Sequence, residues 1–145
     1  MNDQRIAILT DTGTDVPADF AAAHDVRNVS LVVNYSDGSY RSGVDITTDE
    51  VIAYVKGLTE KHNFVFIEDM LDEDDWDGFV KAHKEITRTL IIADDFTVSN
   101  PERIRKAYEL RSIDGFILKP NQVGTISEAL ESHRFASEHG LFSIT

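Results

Sequence analysis

Two acidic pairs and one lysine are the residues of this sequence best suited to chemistry. Glu68 and Asp69 follow one short apolar run, Asp94 and Asp95 follow a second, and Lys119 ends a third. Carboxylate oxygens are the ligands that hard divalent cations prefer, and a lysine near them can serve as a base or hold a phosphate. The pattern therefore indicates either a cation or phosphate site, or solvated polar loops that cap helices.

Another polar group, Thr10, Asp11 and Thr12, follows the first apolar run of the chain. Hydroxyls at this position favour capping of the next helix. The alternative is that these residues bind an anion or the carboxylate of a lipid.

Short β-branched runs supply the strands that must position these groups. The runs are apolar on both faces, as buried parallel strands tend to be. Six strands are predicted: Ile6–Thr10, Val29–Asn34, Phe64–Glu68, Thr89–Ala93, Phe116–Lys119 and Leu141–Ile144.

Segments of helical period separate these strands, and several have clear start signals. Thr125 with Glu128 fits a capping box, and Asn100 before Pro101 fits an N-cap followed by proline at the first helical position. Pro17 indicates an earlier helix.

Strand and helix alternate except at residues 35–43, where Asp37 and Gly38 predict a hairpin turn. Crossovers between parallel strands are right-handed, so the order predicts an α/β fold with an open, mostly parallel, doubly wound sheet. We expect five or six strands, helices on both faces and the flavodoxin-like strand order 2-1-3-4-5. Ligands bind at the carboxyl ends of such strands, and an exposed sheet edge would favour a homodimer.

The chain has 145 residues and a net charge of -12, from 26 acidic and 14 basic residues. This charge repels polyanions, so neither nucleic acid nor an anionic membrane is an expected partner. The sequence has no cysteine, and its first residues lack the apolar core of a signal peptide, so we expect a cytoplasmic location. The length predicts a single domain over residues 1–145.

Three motifs in the second half of the chain carry a family resemblance. In order and spacing, IEDMLDEDDWDGF (67–79), ADDFTVSNPERI (93–104) and LKPNQVGTISEALE (118–131) resemble the C-terminal barrel domain of enolase. The resemblance implies that Glu68 and Asp94 bind the catalytic Mg²⁺ and that Lys119 abstracts the substrate proton. Asp69 and Asp95 would support the two metal ligands. Residues 51–145 would form only part of an eight-stranded barrel.

The first third of the chain resembles a different family. ILTDTGTDVPADF (8–20) and VNYSDGSYRSGVDITTDE (33–50) are similar to the start of the DegV family of fatty-acid-binding proteins. This resemblance implies a lipid-binding origin for residues 1–50.

Two resemblances in one chain favour a recombined or engineered chimera of DegV-like and enolase-like fragments. A second family lysine is absent and Met70 replaces a family proline, so we expect no intact catalytic function and a vestigial Lys119. No cofactor would be required, and Mg²⁺ binding would be weak. The alternatives are a residual enolase-type lyase, similar to phosphopyruvate hydratase, and a small domain that binds an acyl lipid or an anion. A phosphoryl-accepting receiver domain is disfavoured, because the spacing from Asp69 to Gly78 does not match its loop.

Overall fold

The structure is a computed structural model that describes residues 8–11, 16–30, 32–34, 36, 38–41 and 44–145. The chain divides into two compact units, residues 1–47 and 48–145. The division falls close to the expected join at residue 50, and the single-domain interpretation of the whole chain stays a prediction.

The first unit contains two small sheets within its described part. Strand β1 (Ile8–Asp11) pairs in parallel with β2 (Val26–Val29), and helix α1 (Ala18–Ala23) connects them. Strands β3 (Val32–Asn34) and β4 (Ser39–Arg41) pair in antiparallel fashion. The predicted hairpin is therefore confirmed.

The second unit is built around one parallel sheet of four strands. The strands lie side by side in the order β5 (Phe66–Glu68), β6 (Leu90–Ala93), β7 (Gly115–Ile117) and β8 (Phe142–Ile144). Its helices are α2 (Thr48–Lys61), α3 (Trp76–Glu85), α4 (Pro101–Leu110), α5 (Pro120–Val123) and α6 (Ile126–His139). In the part of the chain that the structure describes, no helix is long and apolar enough to cross a membrane.

This topology corrects the expected flavodoxin-like sheet. A doubly wound sheet reverses the direction of strand addition, and that reversal places helices on both faces. Here each strand of the four-stranded sheet lies beside its predecessor in the chain, so right-handed crossovers put the connecting helices on one face. The described strands also form three sheets instead of one, without the order 2-1-3-4-5. Apolar runs predict that strands exist, but they do not specify which strands are neighbours.

Local capping sets the helix boundaries of the second unit. Thr125 Oγ1 accepts the N–H of Glu128 at 3.2 Å, and Asn100 Oδ1 accepts the N–H of Glu102 at 2.8 Å, so both predicted N-caps are confirmed. Helix α6 ends at Gly140, whose φ of 74° lies in the left-handed region that glycine adopts readily.

An aromatic cluster lies in the core of the second unit. Phe79 of α3 stacks on Phe96 with ring centroids 3.9 Å apart, and Trp76 packs on the same ring at 4.4 Å. Phe79 and Phe96 are fully buried. Phe96 belongs to the connection between β6 and α4, so its packing anchors the loop that also carries Asp94 and Asp95.

Candidate active site

Three neighbouring strands deliver polar residues to the same edge of the sheet. Strand β5 is followed by Asp69, β6 is followed by Asp94, and Lys119 lies two residues beyond the end of β7. The strands are parallel and adjacent, so their carboxyl ends lie together. This edge therefore forms one site.

Asp69 holds the turn that follows β6. Its Oδ1 accepts the N–H of Asp94 at 2.9 Å, and its Oδ2 accepts the N–H of Asp95 at 2.6 Å. The N–H of Asp69 itself donates to the carbonyl of Ile92 at 3.2 Å. A carboxylate that binds two successive N–H groups fixes the backbone, and here it fixes the position of both aspartates.

Lys119 and Asp94 form an ion pair at this edge. The Nζ of Lys119 donates to Oδ2 of Asp94, whose residue is only 7% exposed. The hydrogen bond to Asp94 raises the pKa of Lys119 above its usual 10.5, and the charges of Asp94, Glu68 and Asp95 add to the rise, while desolvation opposes it. The lysine is therefore protonated as long as Asp94 is its partner.

Gln122 bridges the two aspartates of the loop. Its Nε2 donates to Oδ1 of Asp94 at 3.1 Å and to Oδ1 of Asp95 at 3.2 Å. The amide oxygen then lies 3.4 Å from Oγ of Ser99. Sequence reasoning does not identify Gln122, because a glutamine inside the third enolase-like motif has no chemistry of its own to reveal this role.

Two hydroxyls on the same loop also have no signal in the sequence. Ser99 is fully buried, and its Oγ accepts the N–H of Lys119 at 2.7 Å and donates to the carbonyl of Ile117 at 3.0 Å. Thr97 is fully buried too, and its Oγ1 has no hydrogen-bond partner among the described residues.

The site offers oxygen ligands suited to a hard cation. Asp69, Asp94 and Asp95 each present one carboxylate oxygen, and the three atoms lie within 4.8 Å of one another. Such a set suits Mg²⁺ or Ca²⁺, and the ammonium of Lys119 already places a cation against Asp94. Glu68 lies outside this group and is exposed, and it acts on the site through its charge on Lys119. The ligand pair Glu68 and Asp94 stays a prediction.

Thr10, Asp11 and Thr12 form the third polar group predicted from the sequence. Thr12 lies outside the described residues, and only the backbone of Thr10 and Asp11 is described, in β1. Anion or lipid binding by these residues stays a prediction.

Comparison with known proteins gives the family. A family model described as "Enolase, C-terminal TIM barrel domain" matches residues 14–145. The chain belongs to this enolase family. The consecutive strand order from β5 to β8 agrees with it, because the strands of a TIM barrel follow one another around the ring.

Several proteins named enolase are similar to this chain over most of the length of this chain. An enolase of Picrophilus torridus is 39% identical over 114 residues, which are 77% of this chain and 28% of that enolase. An enolase of Natronomonas pharaonis is 39% identical over 118 residues, 80% of this chain and 29% of its own length. An enolase of Methanopyrus kandleri is 41% identical over 105 residues, 71% of this chain and 25% of its own length. The chain thus spans between 25% and 29% of these relatives.

Membership of the enolase family overturns the interpretation as a recombined or engineered chimera. The family match starts at residue 14, inside the first DegV-like motif, and includes all of the second, residues 33–50. The DegV resemblance is therefore not supported. Short motifs of this kind describe a strand followed by a polar turn, which unrelated α/β families share.

Two further expectations fail for the same reason. The expectation of a protein without catalytic function, and so of a non-enzyme, is wrong, because the relatives are enolases and enolases are lyases. The expectation that no cofactor is required has no support either, because the enolase family uses Mg²⁺.

Proposed function

We propose that this chain supplies the lysine and carboxylate part of an enolase-type lyase site, and that it removes a proton adjacent to the carboxylate group of a small phosphorylated acid. The observation that carries the proposal is the contact between Lys119 and Asp94 at the carboxyl edge of a parallel sheet. Barrel enzymes place their catalytic groups at this edge.

Lys119 is the base in the proposed reaction. An amine must be neutral before it accepts a proton, and the hydrogen bond to Asp94 opposes this by raising the pKa of Lys119. A partner that draws Asp94 away from Lys119 would remove this hydrogen bond, which is the largest cause of the raised pKa. The ion pair therefore keeps the lysine protonated until Asp94 acquires another partner.

Mg²⁺ is the cofactor that fits the oxygen ligands of the site. Asp94 and Asp95 would hold it, and the enolase resemblance adds Glu68, which lies outside the cluster of Asp69, Asp94 and Asp95. When bound, Mg²⁺ supplies positive charge that neutralises these carboxylates and stabilises negative charge on the oxygens of the substrate. Asp69 contributes by holding the loop, because each of its oxygens already accepts an N–H bond.

The test follows the proton that Lys119 would remove. We expect the full chain with Mg²⁺ to exchange the C2 hydrogen of 2-phosphoglycerate for deuterium in D₂O, measured by proton NMR. Phosphorus NMR of the same sample would detect phosphoenolpyruvate as the product. Lys119→Ala should abolish the exchange, because the base is lost.

Lys81→Ala is the matched control. Lys81 also forms an ion pair, with Asp49 at 2.6 Å, but it lies on α3. This variant should exchange the substrate hydrogen as fast as the wild type. Exchange that is absent from the wild type, or equal in the wild type and Lys119→Ala, would refute the proposal.

A further inference from the structure

The loop between β6 and α4 contains two consecutive left-handed residues that are not glycine. Val98 has a φ of 44° and Ser99 a φ of 57°. Residues with a Cβ rarely adopt this conformation, and a β-branched valine does so least readily. Such backbone persists only where surrounding contacts impose it. The contacts made by Ser99 therefore need a physical account.

The first contact of Ser99 lies just beyond the last residue pair of β6 and β7. Strands β6 and β7 pair at Ile92 with Gly115 and at Ala93 with Phe116, and β6 then ends. The N–H of Leu118, directly after β7, donates to the carbonyl of Ile144 in β8. The backbone groups of successive residues in an extended chain point to opposite sides. Those of residues 117 and 119 therefore point to the side on which β6 has ended.

The groups on that open side are the carbonyl of Ile117 and the N–H of Lys119. The hydroxyl of Ser99 satisfies both, because it donates to the first at 3.0 Å and accepts from the second at 2.7 Å. A hydroxyl carries one donor and accepting lone pairs, as a strand presents one N–H and one C=O. The Ser99 hydroxyl thus makes the two hydrogen bonds that a longer β6 would otherwise make with this part of the chain.

A second contact holds Ser99 from the opposite direction. Oγ of Ser132, on α6, donates to the carbonyl of Ser99 at 2.8 Å, and both residues are fully buried. The left-handed turn is therefore fixed both by its own side chain and by a neighbouring helix.

We propose that Ser99 is a positioning residue for Lys119, a role that rests on the function proposed above. Lys119 is the N-cap of α5 and its side chain makes no capping bond. Because the hydroxyl of Ser99 accepts the N–H of Lys119, it fixes the Lys119 backbone just after the end of β7. The same short loop begins with Asp94, the partner of the lysine ammonium. One loop therefore sets both the backbone of Lys119 and the carboxylate that its side chain meets.

The test measures Lys119 directly by NMR of the full chain. We expect Ser99→Ala to speed hydrogen exchange of the Lys119 amide about tenfold relative to the Leu118 amide, as for loss of one buried hydrogen bond. The Leu118 amide is the internal reference because it donates to Ile144 at 2.7 Å and does not contact Ser99. The Nζ–H signal of Lys119 should also broaden as its contact with Asp94 loosens.

Two further variants separate positioning from general stability. Ser99→Thr keeps the hydroxyl but places a β-branched residue at a φ of 57°, so its exchange ratio should lie between those of the wild type and Ser99→Ala. Ser132→Ala removes the buried hydroxyl of α6 that bonds the carbonyl of Ser99 and leaves the Ser99 hydroxyl in place, so it should lower stability and change the exchange ratio less than Ser99→Ala does. If Ser99→Ala does not fold, Ser99→Cys, with its weaker hydrogen bonds, should give an intermediate ratio.

An unchanged ratio in the folded Ser99 variants, or equal changes in Ser99→Ala and Ser132→Ala, would overturn the proposal. With substrate, Ser99→Ala should lower the rate constant of C2 exchange and leave the KM for 2-phosphoglycerate unchanged. The NMR measurements on Lys119 need no substrate. An intact effect on Lys119 in a chain that exchanges no substrate hydrogen would therefore refute the proposed lyase function alone.

Discussion

Thr97 is a residue whose surroundings do not match its polar hydroxyl. Its side chain is fully buried beside the acidic turn, and its hydroxyl has no partner among the described residues. Valine has nearly the same shape without the polar atom, and a buried unpaired polar group costs about 1–3 kcal/mol. We expect Thr97→Val to raise the free energy of unfolding by about 1 kcal/mol in urea denaturation.

Ser112→Ala is the matched control for that substitution. Oγ of Ser112 is equally buried and donates to the carbonyl of Ala107 at 3.1 Å, so its removal should lower the free energy of unfolding by about 1 kcal/mol. A Thr97→Val variant that is destabilised as much as Ser112→Ala would show that the Thr97 hydroxyl has a partner in solution.

His83 and Asp114 form a pH-sensitive contact in the second unit, with Nε2 and Oδ1 3.1 Å apart. The hydrogen bond to Asp114 raises the pKa of His83 above 6.5, against desolvation. Burial acts to raise the pKa of Asp114, but hydrogen bonds from His83 and from the N–H of Ile91 outweigh it and leave the pKa below 3.8. Folding therefore favours the protonated histidine and the ionised aspartate.

The two shifts define a window of pH. The contribution of His83 is fully present below its unfolded pKa of 6.5 and is lost as the pH rises through the higher folded value. The contribution of Asp114 is present above 3.8 and is lost as the pH falls through its lower folded value. The pair should thus stabilise the fold most between these two values.

We expect the stability difference between the wild type and His83→Gln to be largest near pH 5, about 1 kcal/mol or less because both side chains are partly exposed. It should shrink above neutral pH, where His83 loses its proton. Urea denaturation at a series of pH values measures the difference. Asp114→Asn should remove the same dependence, and a difference that stays constant across the series would contradict the assignment.

At the scale of the elements, close approach of β7 and β8 depends on one glycine. Gly115 pairs with Phe142, and a Cβ added to Gly115 would lie 2.5 Å from the carbonyl oxygen of Phe142. The strands would have to separate. We expect Gly115→Ala to lower the free energy of unfolding by about 1–3 kcal/mol, measured by urea denaturation.

Gly57→Ala is the opposite case among the glycines of the second unit. Gly57 lies inside α2, and a Cβ there meets nothing within 4 Å. Alanine should therefore raise the free energy of unfolding by about 0.5–1 kcal/mol, because it lowers the entropy lost on folding. Similar effects of the two substitutions would rule out the steric explanation for Gly115.

The elements of the second unit are predictable because their signals are local. An N-cap acts within three residues, so Asn100 and Thr125 mark the starts of α4 and α6 correctly. The single strand predicted over Val29–Asn34 is wrong, since the structure has the end of β2 and all of β3 there. An apolar run shows that strand is favoured, but it does not show where the chain turns.

The candidate site is predictable only where strand ends determine it. Asp94 and Lys119 meet because they follow adjacent parallel strands. The roles of Ser99 and Gln122 depend on partners 20 and 28 residues away, the N–H of Lys119 and the carboxylate of Asp94. Such bonds depend on how the helices and strands pack together. The spacing of residue types along the sequence does not predict that packing.

At the scale of the whole molecule, the net charge of -12 should make stability sensitive to salt. Any salt should screen this repulsion, but an ion bound at Asp94 and Asp95 would add a specific contribution. For a dissociation constant of about 1 mM, about 10 mM Mg²⁺ would contribute about 1.4 kcal/mol, or about 5 °C in Tm, beyond NaCl of equal ionic strength. Thermal unfolding followed by circular dichroism measures the difference.

Asp94→Asn should lose this specific rise and keep the general effect of NaCl. Glu138→Gln, on α6, removes the same charge outside the site and should behave as the wild type does. An equal Mg²⁺ response in all three proteins would mean that Mg²⁺ acts by screening alone.

Each strand of the four-stranded sheet after β5 pairs with the one synthesised just before it. Leu90 pairs with Phe66, 24 residues earlier, and Phe142 pairs with Gly115, 27 residues earlier. These separations are those of a single strand–helix–strand unit, so less loop-closure entropy is lost at each addition than if strands further apart in the chain were paired. A nascent chain emerging from the ribosome can therefore dock one strand after another, and no strand has to wait for a later one to be inserted between two that are already paired.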